Sequence, residues 1–449
     1  MIINNGIFHL SFKQIIYGLL YPIFIILHYR YVSLLLKQES IPYHEPVIYG
    51  LIISIVLNIL IIILLPYKIY KISNAAVWLI YIMIYLPTLY LPHYILNIET
   101  NLIISYNLII TLGFLIIIIA QYLPSISISN LSTSHKWFTY SVGLVIISIL
   151  LFYIYKNIGN FSVINIFHVY EQRDNYKELL QANGRIFAYI SIWLYFLFVP
   201  ITLSISCYFI NTKQYFIAVT FIIISIVSAM SVFFLTGYKS AFFSIMLVTA
   251  IILSFKTGVK GYAIIKYIIY IYLLSYILII INFSWPALHF IRRLFLAPGI
   301  NASYYYDYFH IHQIYYLSHS FLSKWFLNEY GVGPPFIIGK VYYNAPNMSA
   351  NANFWADAFA NFSYTGIIIY SILLSMIIWI ADSISKKHSL RFALAAIGMS
   401  FYSLANSSLF TTILTYGLIF SIIFLWLFPP TKSVCDTVDT RPRKTPEKQ

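Results

Sequence analysis

Cysteine is almost missing from this sequence: Cys207 lies in an apolar run and Cys435 near the C-terminal end. Two such residues build neither a disulfide framework nor a thiolate metal site. Charge is equally scarce. Asp, Glu, Lys and Arg make up 9% of the 449 residues and hydrophobic residues 61%, which excludes a soluble fold of this size, because a water-facing surface must be far more polar. Acidic residues number 13 against 27 Lys and Arg, a net charge of +14. The basic residues are scattered between apolar runs rather than gathered into a stripe or tail, which argues against a nucleic-acid partner. There is no internal repeat, no Gly/Ser linker and no soluble domain. No small-residue cleavage site follows the first apolar stretch, which runs past Leu27 and reads as a retained first span.

What is present is a series of apolar runs close to the roughly 20 residues that cross the hydrocarbon as a helix. They fall near 12–35, 47–66, 75–95, 101–123, 138–155, 185–206, 215–234, 240–255, 263–283, 361–380, 391–407 and 411–428. The expected fold is an all-α polytopic membrane protein with about 12 transmembrane helices, forming one integral membrane domain over 1–430 ahead of a disordered cytoplasmic tail, 431–449. Cytoplasmic segments retain Lys and Arg. With both termini inside, those segments hold 16 basic residues against four acidic ones, while 11 basic and nine acidic residues are spread over longer outer segments. Two large extracytoplasmic loops, 156–184 and 284–360, follow from this orientation, and chemistry is expected there.

The first loop carries Tyr170, Glu171, Arg173 and Asp174 and closes with Gly184. A guanidinium at a membrane surface grips phosphate oxygens in a two-toothed fork that Lys cannot reproduce, although Arg173 also reads as a solvated arginine paired with Glu171 or Asp174. In the second loop His289, Arg292 and Arg293 would share one face if the helix continues past Pro286, as an anion site or as a basic flank anchoring a helix end. The run from Tyr304 to Phe326, with Tyr306, Asp307, His310, His312 and His319 in it, suits an interfacial amphipathic helix or stacking on sugar rings. No acidic or histidine partner stands at zinc spacing there. Asn353 and Asp357 precede a strongly apolar span, where partial burial suits Asp357 to general-base work, or leaves it a capping carboxylate. Lys239, in the short turn Thr236 to Ser240, either snorkels or meets an anion.

Taken in order, these stretches resemble the Wzy-type O-antigen and capsule repeat-unit polymerases. They are Arg173 followed by Gly184, the Thr236–Ser240 turn, the run Arg292, Arg293 through Pro298 to Tyr306 and Phe309, and Asn353 to Gly366. The resemblance implies a membrane glycosyltransferase of the GT-C-like class that needs no metal or cofactor. It would join oligosaccharide repeat units carried on undecaprenyl pyrophosphate, at the outer face of the bacterial inner membrane, into lipopolysaccharide O-antigen or capsule. The membrane lipid and a chain-length regulator are its implied partners. Arg173, Arg292 or Arg293, and Lys239 would hold the pyrophosphate, Asp357 or else His289 would be the base, and Tyr170, Asn353 and Tyr306 would contact sugar. Neither Arg292 nor Arg293 is followed by Gly at the spacing seen after Arg173. Related ligases carry a histidine where this sequence offers Asp357, so a ligase-like glycosyltransferase fits less well. A lipid-linked oligosaccharide flippase or transporter would need charged residues inside its spans, and these are nearly absent.

Overall fold

The computed structural model describes residues 11–35, 41–128, 135–161, 176, 179, 184–255, 257–320, 325 and 330–431. Nearly all of it is helix. In chain order the helices are α1 (Phe12–Leu35), α2 (Ile48–Leu64), α3 (Ile72–Ile95), α4 (Thr100–Ala120), α5 (Trp137–Lys156), α6 (Ile186–Asn211), α7 (Tyr215–Thr236), α8 (Ser240–Ser254), α9 (Tyr262–Ile280), α10 (Ala297–Phe309), α11 (Pro334–Tyr343), α12 (Phe354–Ser385), α13 (Leu390–Ser403) and α14 (Leu409–Leu427). Nine of them, among the described residues, are long and apolar enough to cross a membrane. The chain is a multi-pass membrane-embedded protein. The expected spans near 47–66, 240–255 and 391–407 coincide with α2, α8 and α13, which are apolar but shorter. Tyr170, Arg173 and the tail beyond Thr431 lie outside the described residues.

Three π-helical segments interrupt the α-helices among the described residues, Tyr81–Tyr85, Leu194–Phe198 and Ala287–Leu296. Each ends two residues before a proline, Pro87, Pro200 and Pro298 respectively. Proline has no N–H to donate back to the fourth residue before it and its ring clashes with that carbonyl. Widening the preceding turn to i→i+5 pairing lets the chain continue without a stop.

Contacts divide the chain into two compact units. Unit 1 comprises Met1–Pro124, Gly258–Ile380 and Tyr402–Leu409. Its centre is α3, with Trp78, Tyr81 and Tyr85 fully buried. Buried amides tie the neighbouring helices to it: Asn58 Nδ2 donates to Gly18 O at 3.2 Å and Tyr81 OH to Asn58 Oδ1 at 2.8 Å. Such bonds hold helices together where lipid offers no hydrophobic drive. Helix α10 packs directly on α3. Gly299 permits this approach, since a Cβ there would lie 2.6 Å from the Pro87 carbonyl carbon and oxygen. Tyr304, Tyr305, Tyr306 and Phe309 are all buried, so this part of the aromatic run is a core helix of unit 1, not the interfacial helix its composition suggested. The described residues of 284–360 include a π-helix, α10, α11 and the start of α12.

Unit 2 comprises Ser125–Thr257, Ala381–Phe401 and Phe410–Gln449. Thr202 and Ser225 join α6 to α7 through hydroxyls 2.6 Å apart. Three basic side chains, a lysine, a histidine and an arginine, cover helix C-termini, where carbonyls lack partners. Lys387 Nζ donates to Trp426 O at 2.6 Å, His388 Nε2 to Leu425 O at 2.7 Å and Arg391 Nε to Phe255 O at 3.1 Å.

Candidate active site

Helix α12 is broken near its start, in unit 1. Phe362 (φ −144°, ψ 19°) and Ser363 (φ 54°, ψ −143°) leave helical geometry, so residues 354–361 form a short separate segment ahead of the apolar span. Gly366 makes the break fit, because a Cβ there would stand 2.1 Å from the Ala358 carbonyl oxygen. A break leaves the last carbonyls of the first segment without helical partners. They are taken up by a turn that follows α10. Tyr315 N–H donates to Ala360 O at 2.9 Å and Tyr316 N–H to Asn361 O at 3.2 Å, and Leu317 N–H donates to Asn361 Oδ1 at 2.9 Å. To make these bonds Tyr316 (φ 48°) and Leu317 (φ 62°) adopt left-handed backbone, which costs on the order of 1–3 kcal/mol per residue.

The turn held in this way carries His319, whose Nε2 lies 4.0 Å from Asp357 Oδ1. Asp357 is in the first turn of its helix segment, where the helix dipole favours a carboxylate. Tyr370 and Asn361 are its polar neighbours and Tyr305 packs close to it. The Tyr315 ring stands edge-on to His319, centroids 5.0 Å apart. Burial pushes the His319 imidazole down to about 4, so it is neutral at neutral pH. The two side chains keep small exposed edges, 19% for His319 and 12% for Asp357. At 4.0 Å they are too far apart for a direct hydrogen bond, yet one oxygen atom can stand within hydrogen-bond distance of both. A hydroxyl bound there would meet a carboxyl group placed to take its proton and an imidazole placed to orient it by a hydrogen bond.

The other residues singled out in the sequence divide sharply. Asn353 is fully buried. Its Oδ1 accepts from the Trp355 and Ala356 N–H groups, both at 3.1 Å, as a helix cap, and its Nδ2 donates to Thr88 Oγ1 and Pro298 O, both at 3.0 Å. Tyr306 is also fully buried, donating to Leu102 O at 2.9 Å beside the Tyr364 hydroxyl at 2.8 Å. Both residues hold α10, α12 and their neighbours together, and neither presents a face to a sugar. On the π-helix, Ala287, Ile291 and Phe295 form the buried stripe. The wider winding keeps His289 and Arg293 on the exposed side and turns Arg292 to a half-buried position, so the three do not share the single face an α-helix would give. His289 is exposed beside the Trp285 ring, centroids 5.2 Å apart. Lys239 is exposed at the start of α8 in unit 2.

His319 was the residue without an assigned role in the sequence. It is 38 positions from Asp357, and the helix break and left-handed turn that join them carry no sequence signature. Among the described residues, no group of three His, Cys, Asp or Glu side chains could hold a metal ion. The chain matches no family model, no curated protein and no solved structure.

Proposed function

We propose that this chain is a membrane glycosyltransferase that polymerises undecaprenyl-pyrophosphate-linked oligosaccharide repeat units, in the manner of the Wzy-type polymerases its outer stretches resemble. In this reading α2, α8 and α13 join the nine longer helices as crossings, both termini are cytoplasmic and the membrane is the bacterial inner membrane. The observation that carries it is the Asp357–His319 pair, a carboxyl and a neutral imidazole 4.0 Å apart with accessible edges, at the head of an apolar span. Asp357 takes the proton from the attacking hydroxyl of the acceptor sugar, and the neutral His319 imidazole orients that hydroxyl through a hydrogen bond. Arg293 or Arg292, in the same unit as the pair, offsets the charge that grows on the pyrophosphate as the sugar–phosphate bond breaks. Asp357→Asn is expected to abolish the glycan ladder on a gel of surface polysaccharide, with protein level unchanged. His319→Gln is expected to shorten it. A normal ladder from a normally abundant Asp357→Asn protein would remove the pair from catalysis.

A second reading gains from the same pair. The ligase-like alternative lacked a histidine beside Asp357 in the sequence, and folding supplies His319. Deletion of the gene separates the two: a core bearing one repeat unit indicates lost polymerisation, and a core bearing none indicates lost ligation or export.

A further inference from the structure

The opposite end of unit 1 carries a different chemistry. β1 (Lys68–Ile69) follows α2 and β2 (Val259–Lys260) precedes α9, and their antiparallel register sets Lys68 directly across from Lys260. Both lysines are exposed. The register is locked: Gly261 N–H donates to Tyr67 O at 3.0 Å and Gly258 N–H to Ile69 O at 2.9 Å. Gly261 also lies flat against Trp78, where a Cβ would fall 1.9 Å from the indole Nε1. Like charges directly opposite each other across a strand pair destabilise it.

Among the described residues of unit 1, no carboxylate stands at this end to neutralise the pair. Lys260 Nζ stands 5.8 Å and 5.9 Å from the Tyr67 and Tyr262 ring centroids. Lys266 Nζ stands 5.5 Å from the Tyr270 centroid and 5.9 Å from that of Tyr267. The Tyr17 ring stacks on Tyr262 at 5.9 Å, which brings Lys13, one turn earlier on α1, to the same end. The acidic residues of unit 1, among those described, are Glu45, Glu99, Asp307 and Asp357. Glu45 and Glu99 precede α2 and α4, and Asp357 opens α12. All three therefore mark the helix ends remote from the hairpin, as Asp307 does on α10, which packs against the second half of α3. The hairpin lies a few residues from the apolar stretches of α2 and α9, a spacing that would set it near the headgroups of a bilayer these helices cross.

We propose that Lys68 and Lys260, with Tyr67 and Tyr262 beside them, bind the phosphate of an anionic phospholipid headgroup. A phosphate between the two ammonium groups turns their repulsion into attraction, and the tyrosine rings hold Lys260 in place for it. Lysines that only mark the cytoplasmic side would need neither a fixed register nor a ring cradle. The site is independent of the Asp357–His319 pair.

The test is native mass spectrometry of the purified full-length protein in detergent, titrated with phosphatidylglycerol or phosphatidylcholine. Wild-type protein is expected to retain phosphatidylglycerol preferentially, and Lys68→Gln/Lys260→Gln to lose retention by roughly fivefold for each lysine removed. Lys340→Gln, an exposed lysine on α11, is expected to retain it like wild type. Should the double variant misfold in detergent, thermal unfolding in nanodiscs decides. Single Lys68→Gln is then expected to be at least as stable as wild type in phosphatidylcholine and less stable than wild type in phosphatidylglycerol. Equal phosphatidylglycerol retention by wild type and double variant, the same stability order in both lipids, or displacement of the lipid by equimolar inorganic phosphate would each overturn the proposal.

Discussion

His319 is neutral because the fold withholds water from it, and that sets how the protein responds to acid. An unfolded histidine titrates near 6.5, whereas burial lowers this one to about 4. Between those values the unfolded chain binds a proton that the folded protein refuses. The contribution of His319 to stability is therefore complete above pH 6.5, declines as pH falls and is gone below about 4. The full shift corresponds to about 3 kcal/mol. Melting curves of wild type and His319→Gln, collected from about pH 7 to about pH 4, should diverge, with wild type losing stability more steeply. Parallel curves would show that this imidazole does not titrate as its burial requires. Asp357 could be picked from the sequence because a carboxylate just ahead of an apolar span is conspicuous. Asn353 and Tyr306 were picked for their chemistry, but an amide that caps a helix or a phenol that ties two helices inside a membrane protein looks the same in sequence as one that meets a sugar. His319 was hidden for the opposite reason, its position depending on backbone bonds to Ala360 and Asn361.

The break in α12 is the element on which that site depends, and its two ends make opposite predictions. Ser363 occupies backbone (φ 54°, ψ −143°) that only glycine enters without strain. Gly366 has no room for a side chain beneath the Ala358 carbonyl. Ser363→Gly is expected to raise the unfolding free energy by about 1 kcal/mol as strain is released. Gly366→Ala is expected to lower it by roughly 1–3 kcal/mol, because backbone must shift to admit the methyl group. Thermal or denaturant unfolding in detergent gives both signs, and a stabilising Gly366→Ala would mean the break does not exist as described. Nine spans among the described residues were legible, since an apolar run near 20 residues has little choice but to be a helix in lipid. Helix α10 was not. Its tyrosines, which suit a water–lipid interface, are buried against α3, a choice fixed by Gly299 and Pro87 rather than by any periodicity.

At the scale of the molecule, the described acidic residues of unit 1 gather at one end, and this bears on any function at the outer face of a membrane. Lys13, Lys68, Lys71, Lys260 and Lys266 mark the ends where α1, α3 and α9 begin and α2 finishes, while Glu45, Glu99 and Asp357 mark the other end. Helix direction supports the assignment. α4 and α12 run the same way, with Tyr306 OH on Leu102 O near the start of α4 and Trp379 Nε1 donating to Pro124 O at 2.6 Å beyond its finish. Cytoplasmic ends retain lysine, so the Asp357–His319 pair should face outward. In a background with Cys207→Ser and Cys435→Ser, a cysteine introduced as Glu99→Cys is expected to react with a membrane-impermeant maleimide added to intact cells. One introduced as Lys68→Cys is expected to react only after the membrane is opened. The reverse pattern would put the pair at the cytoplasmic end, beyond reach of an outer-face lipid-linked glycan, and transfer there would be impossible whatever chemistry the pair can perform.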